Sequence, residues 1–208
     1  HPEELQTMVD LLTTNETYFF REPKHFDYLA QEILPHKAKP GVPFNIWSAA
    51  CSSGEEPYTL AMVLAEHLGN RPWQVVGSDI STVVLAKAQA GLYPLERTEG
   101  IPPQYLTKYC LKGVRSQEGT LLVAKELRER VRFLQVNLTK PAPDLGPFDV
   151  IFLRNVMIYF DMETKRKVVE NLITRLKPGG TFIVGHSESL NGITDRLKCL
   201  RPTIYEKP

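Results

Sequence analysis

The stretch at residues 46–57, IWSAACSSGEEP, constrains the fold more than any other part of the chain. An apolar run turns here through small residues into two acids and a proline, a pattern typical of a buried strand followed by a helix start. Small residues allow a ligand to approach the backbone closely. The sequence therefore predicts a ligand site at a turn from strand to helix.

The two acids at this turn, Glu55 and Glu56, restrict the kind of ligand. Carboxylates at a helix N-terminus would repel a pyrophosphate, and the turn has one glycine where the dinucleotide fingerprint has three. We therefore expect a nucleoside with a hydroxylated ribose, or a cation. S-adenosylmethionine has both features.

Strand and helix patterns alternate from Phe44 onward. Buried strands are predicted at residues 44–50 and 73–78, with a helix between them and a second helix that Ser81 can cap. The pattern resumes with strands at residues 131–136 and at Phe148–Leu153. A doubly wound parallel sheet accounts for this order, so we predict an α/β fold.

Patterns near the two ends of the chain predict further elements. One helical stripe lies at residues 5–12, and a second helix around Phe26 and Ile33 is expected to be terminated by Pro35 and the KAKPGVP connector that begins at Lys37. A helix capped by Asp161 should continue to Leu176 and end at the LKPGG sequence, before a strand at residues 181–185. Residues 201–205 are predicted to form an antiparallel closing strand.

Several polar residues follow predicted strands on one edge of the sheet, where ligands bind in open α/β folds. Asp79 ends the second strand 25 positions after Gly54, close to the separation of about 20 at which an acid holds a cofactor ribose. The alternative for Asp79 is a helix N-cap. The same edge should carry Asn137, Arg154, Asn155 and Tyr159.

The alternation is interrupted at about residues 97–130. Gly113 and Gly119 bracket a turn before a short apolar run at residues 120–124, which predicts a small inserted antiparallel sheet or hairpin. The segment has seven basic and four acidic residues. Residue chemistry alone favours a solvated connection over a docking surface.

Composition excludes several classes of function. A net charge of +1 gives no reason to expect nucleic acid or an anionic membrane as a partner. The three cysteines lack CxxC spacing and the five histidines lack metal-ligand spacing, so we expect reduced thiols and no metal. No apolar run approaches the roughly 20 residues of a membrane span. Because the chain begins at His1, a missing amino-terminal portion is expected.

Six ordered blocks between Thr14 and Glu188 resemble the CheR family, the chemotaxis receptor glutamate O-methyltransferases that use S-adenosylmethionine. The blocks are TNETYFFRE, WSAACSSGEEPY, VxGSDI, FDVIFLRNVMIYF, LKPGG and GHSE. The resemblance implies a Rossmann-like methyltransferase domain at residues 41–208, with the inserted antiparallel subdomain. Residues 1–40 would then be the end of an amino-terminal helical domain and a linker.

The resemblance also implies the site. Asn15, Thr17 and Arg21 would reach across the cofactor, although residue chemistry alone leaves their block equally open to being an aromatic-anchored loop. Arg21 and Tyr159 would lie in the catalytic neighbourhood. The other implied cofactor neighbours are Ala49, Ala50, Glu55, Asp79 at the ribose, Asn137 and Leu138 at the adenine, and Arg154 and Asn155 at the methionine end.

The expected partner is the cytoplasmic helical domain of chemoreceptor-type proteins, methylated by a cytoplasmic monomer that neither binds nucleic acid nor inserts into a membrane. The product would be S-adenosylhomocysteine.

A non-catalytic S-adenosylmethionine sensor is the alternative from another class. Nucleic-acid methylation is a further alternative, but the sequence has RNVM after the strand that ends at Leu153, where an NPPY or DPPY block would stand. The GHSES sequence at residues 185–189 resembles the GxSxG nucleophile elbow of hydrolases but ends in serine. Family members that bind a receptor's terminal peptide carry a glycine-rich turn in the insertion. Here Val114 and Arg115 stand where a second close glycine would be expected, which opposes tethering to a receptor terminus.

Overall fold

The computed structural model describes residues 16–208. Helices in this range are α1 (Lys24–Tyr28), α2 (Leu34–Lys37), α3 (Glu55–Leu68), α4 (Thr82–Ala90), α5 (Pro103–Tyr109), α6 (Lys125–Arg128) and α7 (Met162–Ile173). Strands are β1 (Phe44–Ser48), β2 (Trp73–Asp79), β3 (Leu92–Pro94), β4 (Cys110–Lys112), β5 (Thr120–Val123), β6 (Val131–Gln135), β7 (Phe148–Leu153), β8 (Leu176–Val184), β9 (Lys198–Arg201) and β10 (Ile204–Glu206). The helical stripe predicted at residues 5–12 lies outside the described residues.

The main sheet has seven strands in the order β6-β2-β1-β7-β8-β10-β9. Neighbours from β6 through β8 pair in parallel, and β10 pairs antiparallel with both β8 and β9. The chain passes from β1 to β2 on one side and reaches β7 on the other, so the strand order reverses between β1 and β7. Ligands in such sheets bind at this switch point. The predicted α/β fold with a mostly parallel sheet is confirmed.

The central strands are mostly apolar because helices cover both faces of the sheet. In β1, Ile46 packs into the core on one face and Trp47 into the core on the other, and both side chains are fully buried. Successive strand residues point to opposite faces, so both must be apolar here. Each such side chain contributes about 1.5–3 kcal/mol to folding.

The amino-terminal helical stretch continues through Pro35, contrary to the prediction. A π-helical turn at Leu29–Ile33 separates α1 from α2, and Pro35 occupies one of the first two positions of α2. An amide at the start of a helical segment has no partner within that segment, so proline is tolerated there. The stretch instead ends at Lys37, which Ala38 follows in an extended conformation.

The carboxyl-terminal region also differs from the prediction. Helix α7 ends at Ile173, and Leu176 begins β8, so LKPGG belongs to the strand. The pairing of β7 with β8 shifts between Phe148 and Val150, and this irregularity accommodates the proline and glycines. The closing segment is a hairpin of β9 and β10, where one strand was predicted.

The insertion forms a three-stranded antiparallel sheet in the order β3-β5-β4. Its first strand begins at Leu92, before the predicted range, and α5 lies between β3 and β4. The antiparallel character of the insertion is therefore confirmed, while the division of the chain at residue 40 stays a prediction. None of the helices within residues 16–208 has the length and apolar character that crossing a bilayer requires.

Candidate functional site

A cavity of about 420 Å³ opens at the carboxyl ends of β1, β2, β6 and β7. Pockets for small ligands and cofactors span roughly 300–1,000 Å³. Ten predicted site residues line this cavity, namely Thr17, Arg21, Ala49, Ala50, Asp79, Asn137, Leu138, Arg154, Asn155 and Tyr159. Asn15 lies outside the described residues.

The turn between β1 and α3 depends on Gly54. Its φ of 95° lies in the left-handed region, and an added Cβ would come within 2.8 Å of the Ala88 Cβ. The Tyr93 hydroxyl donates to the Ser53 carbonyl at 2.7 Å, so a residue of the inserted sheet supports the same turn. This packing presents Ala49 and Ala50 to the cavity.

Asp79 joins two loops at the cavity wall. One carboxylate oxygen accepts from the Ser52 amide at 2.8 Å, and the other accepts from the Ser81 amide at 3.0 Å. The cap of α4 is Ser81, whose hydroxyl accepts from the Val84 amide at 3.4 Å. The capping alternative for Asp79 is therefore wrong, and its ribose contact stays a prediction.

The two acids at the start of α3 point in different directions. Glu55, predicted to border the cofactor, is fully buried outside the cavity, where it accepts from the Ser53 hydroxyl at 2.7 Å and lies 3.4 Å from Arg97. Burial raises the pKa of Glu55. Glu56 lines the cavity and accepts from the Ser48 hydroxyl at 2.7 Å. Adjacent helix residues are about 100° apart, so only one of the two can face the ligand.

Arg154 connects the sheet to the amino-terminal segment, residues 16–28. Its buried guanidinium lies 3.3 Å from Glu22 and 3.2 Å from Glu56, donates to the Arg21 carbonyl, and covers the Phe26 ring at 5.3 Å. Burial raises the pKa of Glu56 although Arg154 opposes the shift. Burial also acts to raise the pKa of Glu22, but Arg154, the Asn155 amide and the neighbouring His186 and His25 together outweigh it, and the pKa falls below its ordinary value.

Arg21 and Tyr159 line the same cavity as Asp79. Arg21 donates to the Glu16 carbonyl at 2.7 Å and its guanidinium lies 5.6 Å from the Tyr18 ring centroid. The bond to Glu16 uses one of the five guanidinium donors. Tyr159 ends the 3₁₀ turn Met157–Tyr159, and 58 % of it is exposed. Both residues can therefore meet a macromolecular substrate.

Asn137 and Leu138 form the wall that follows β6. The Asn137 side-chain oxygen accepts from the Thr139 amide at 3.0 Å and from its hydroxyl at 2.8 Å. Asn171 of α7 donates to the Leu138 carbonyl at 3.2 Å. These bonds fix the loop that was predicted to flank an adenine.

Glu188 is a supporting residue to which no role was assigned from the sequence. Its buried carboxylate accepts from four backbone amides at 2.8–3.0 Å, those of Asn155, Val156, Met157 and Gly185. It thereby joins the loops after β7 and β8, and holds Asn155 at a φ of 58°. The GHSE block was the only sequence signal for it.

Sequence reasoning also missed several cavity residues. Ile80 and Val136 directly neighbour predicted residues at strand ends, and extending the strand-end rule by one position would have found them. Tyr18 and Phe26 come from the amino-terminal segment, which no sheet-based rule reaches.

Comparison with known proteins identifies the family. Residues 15–205 match the family model described as "CheR methyltransferase, SAM binding domain". The chain is 42% identical over 208 residues to the chemotaxis protein methyltransferase of Escherichia coli K12, covering 99% of this chain and 71% of that protein. It is 42% identical over 207 residues to chemotaxis protein methyltransferase 2 of Pseudomonas aeruginosa PAO1, covering 98% and 74%.

A solved structure agrees on the fold. TrmN from Thermus thermophilus is 16% identical with a TM-score of 0.53, over 86% of this chain and 48% of that one. Together with the family match and the sheet order, this establishes an S-adenosylmethionine-dependent methyltransferase fold with S-adenosylmethionine as its cofactor. The chain belongs to the CheR methyltransferase family.

Proposed function

We propose that this protein methylates glutamate side-chain carboxylates on chemoreceptor-type signalling proteins, giving glutamate methyl esters and S-adenosylhomocysteine. The chemotaxis methyltransferases to which it is similar support the receptor class. The observation that carries the proposal is the position of Arg21, a guanidinium that lines the same cavity as Asp79. A guanidinium can hold a carboxylate through two parallel hydrogen bonds.

The residues of the cavity fit the cofactor. Asp79, which two backbone amides hold in place, would accept from the ribose hydroxyls. Ile80 and Leu138 offer apolar surface for an adenine ring, with Asn137 beside them. Glu56, Arg154 and Asn155 would lie at the methionine end. When bound, the cofactor supplies a methyl group already activated by a sulfonium.

This chemistry requires little acid or base assistance from the protein. A glutamate side chain has an ordinary pKa of about 4.3, so at neutral pH the substrate is already a carboxylate nucleophile. The protein's task is to position that carboxylate and remove water from it, and good orientation contributes roughly 7 kcal/mol or more. We assign the positioning to Arg21 and the shape of the methyl channel to Tyr159.

The direct test is to identify the bond that forms. Incubation with methyl-labelled S-adenosylmethionine and a panel of receptor cytoplasmic fragments should label a fragment with an ester that mild base releases as methanol. A fragment whose candidate glutamates are changed to glutamine is the matched control and should remain unlabelled. Base-stable label, or cofactor binding without label in any fragment, would contradict the proposal.

A further inference from the structure

Three metal-binding side chains from two distant parts of the sequence converge beside the candidate site. They are Glu22 and His25 of the amino-terminal segment and His186 of the loop after β8, and one donor atom from each lies within 4.8 Å of the others. The Glu22 Oε2 atom is 3.5 Å from the His25 Nδ1 and 3.9 Å from the His186 Nε2. Sequence spacing predicted no metal because only the fold brings His186 to Glu22 and His25.

His25 has the environment of a metal ligand. It is 2 % exposed, and its Nε2 lies 2.8 Å from the Thr203 hydroxyl, a suitable acceptor for an N–H. Its Nδ1 is buried and has no hydrogen-bond partner among residues 16–208. Ligating histidines commonly donate their other ring nitrogen in this way, which leaves the lone pair for the metal.

The nearby Arg154 does not exclude a cation. Its guanidinium is shared between Glu22 at 3.3 Å and Glu56 at 3.2 Å. With both carboxylates ionised, these three groups carry one net negative charge. His186 is half-exposed, so an ion can reach the cluster from solvent.

We propose that Glu22, His25 and His186 form a binding site for a divalent transition-metal ion of the zinc class. Two imidazoles and one carboxylate are a known set of three zinc ligands that leaves a fourth position open. Zinc–ligand distances of about 2.0–2.2 Å in a tetrahedral site place donor atoms about 3.4 Å apart. The two separations from Glu22 are 3.5 and 3.9 Å, and all three donor atoms lie within 4.8 Å of one another. Glu22 also accepts from the side-chain amide of Asn155 and pairs with Arg154. An ion bound to Glu22 would therefore affect the contacts of two cavity residues.

Zinc chloride titration followed by calorimetry tests the site without any methyl transfer. The exposed Cys199 can also bind zinc, so the measurements use a Cys199→Ser background. We expect one site, and we expect His186→Ala to weaken it by roughly tenfold or more because one of three ligands is lost. His67→Ala removes an exposed histidine elsewhere and should leave the affinity unchanged.

Nuclear magnetic resonance of the imidazole nitrogens provides the second measurement. Zinc should shift the His25 and His186 signals together, and the His25 shift should require roughly tenfold more zinc, or a larger excess, in His186→Ala. Thermal unfolding of each variant shows whether it is folded, and zinc should raise the Tm of the parent and of His67→Ala only. Absence of binding to the parent, or affinity unchanged by His186→Ala, would overturn the proposal.

Discussion

Arg21 is the residue whose position bears most directly on the proposed reaction. Removing its side chain in Arg21→Ala should lower kcat by about 100-fold or more, because the substrate carboxylate would lose its orientation. Tm should change little, since within residues 16–208 the guanidinium makes one hydrogen bond, to the Glu16 carbonyl. Steady-state kinetics with a labelled receptor fragment measures the effect.

Two further variants complete the test: one separates the orientation of the substrate from the charge of the side chain, and the other is a control. Arg21→Lys keeps the charge but lacks the planar fork, so it should recover only part of the activity. Arg201→Ala removes an exposed arginine that pairs with Glu32 at 3.6 Å and should leave kcat unchanged. Near-normal turnover by Arg21→Ala would rule out the proposed role.

Asp79 should determine affinity for the ribose. Asp79→Asn replaces a charged acceptor, and we expect cofactor binding to weaken by about 10- to 100-fold in calorimetry. Because Asp79 also holds the Ser52 amide, a structural effect must be separated from a ribose contact. Adenosine should bind the parent more tightly than 2′,3′-dideoxyadenosine, and Asp79→Asn should abolish that preference. Asp144→Asn, at an exposed acid paired with Arg175, is the control; a preference retained in Asp79→Asn would refute the assignment.

Prediction of single residues succeeded where backbone geometry decides and failed where side-chain direction decides. Asp79 follows a parallel strand, so its place at the ligand edge follows from the topology. The choice between Glu55 and Glu56 depends on which face of α3 meets the insertion, and no local pattern encodes that contact. Glu22 was missed for the same reason, because its partner Arg154 is far away in the sequence.

At the scale of elements, the loops after β7 and β8 are held by one carboxylate. Glu188→Gln replaces an acceptor of four amides with a group that has one oxygen and an NH₂, so at least one amide loses its partner. We expect urea denaturation to show a loss of about 2–3 kcal/mol in unfolding free energy, together with weaker cofactor binding. Glu163→Gln changes an exposed acid on α7 and should affect neither. Wild-type stability in Glu188→Gln would show that the four bonds contribute little.

Elements with two buried faces were predicted well, and irregular ones were not. The apolar runs of β1 and β7 leave few alternatives to buried parallel strands. Pro35 and LKPGG carry conventional stop signals, yet a π-helical turn and a shift in strand pairing accommodate them. These adjustments depend on packing against distant elements, so local propensity cannot foresee them.

For the whole molecule, burial of His25 links stability to pH. Its pKa is about 4 in the folded protein against an ordinary value of 6.5, so the unfolded chain takes up this proton first as the pH falls. Stability should therefore decrease between about pH 6.5 and 4, with a contribution of about 2 kcal/mol already lost at pH 5. The lowered pKa of Glu22 acts in the same direction at lower pH, and the raised pKa of Glu56 opposes it.

Urea unfolding at pH 7.5 and pH 5, in buffer with a chelator, measures this contribution. His25→Gln removes the titrating ring and should reduce the difference between the two pH values by about 2 kcal/mol. An equal pH difference in both proteins would contradict the assignment. The effect could not be predicted from the sequence, where His25 is one of five histidines without distinguishing neighbours.

The packing of the amino-terminal segment limits the routes by which a cofactor can enter or leave the cavity. Phe19 and Phe26 of this segment are 1% and 3% exposed, and Phe26 stacks on Phe152 of the sheet with ring centroids 6.0 Å apart. Lifting the segment away would expose both rings at about 1.5–3 kcal/mol each, and would also separate Arg154 from Glu22. The segment is a wall of the cavity that packing holds in place, so product release has to proceed past Tyr159 and the exposed rim.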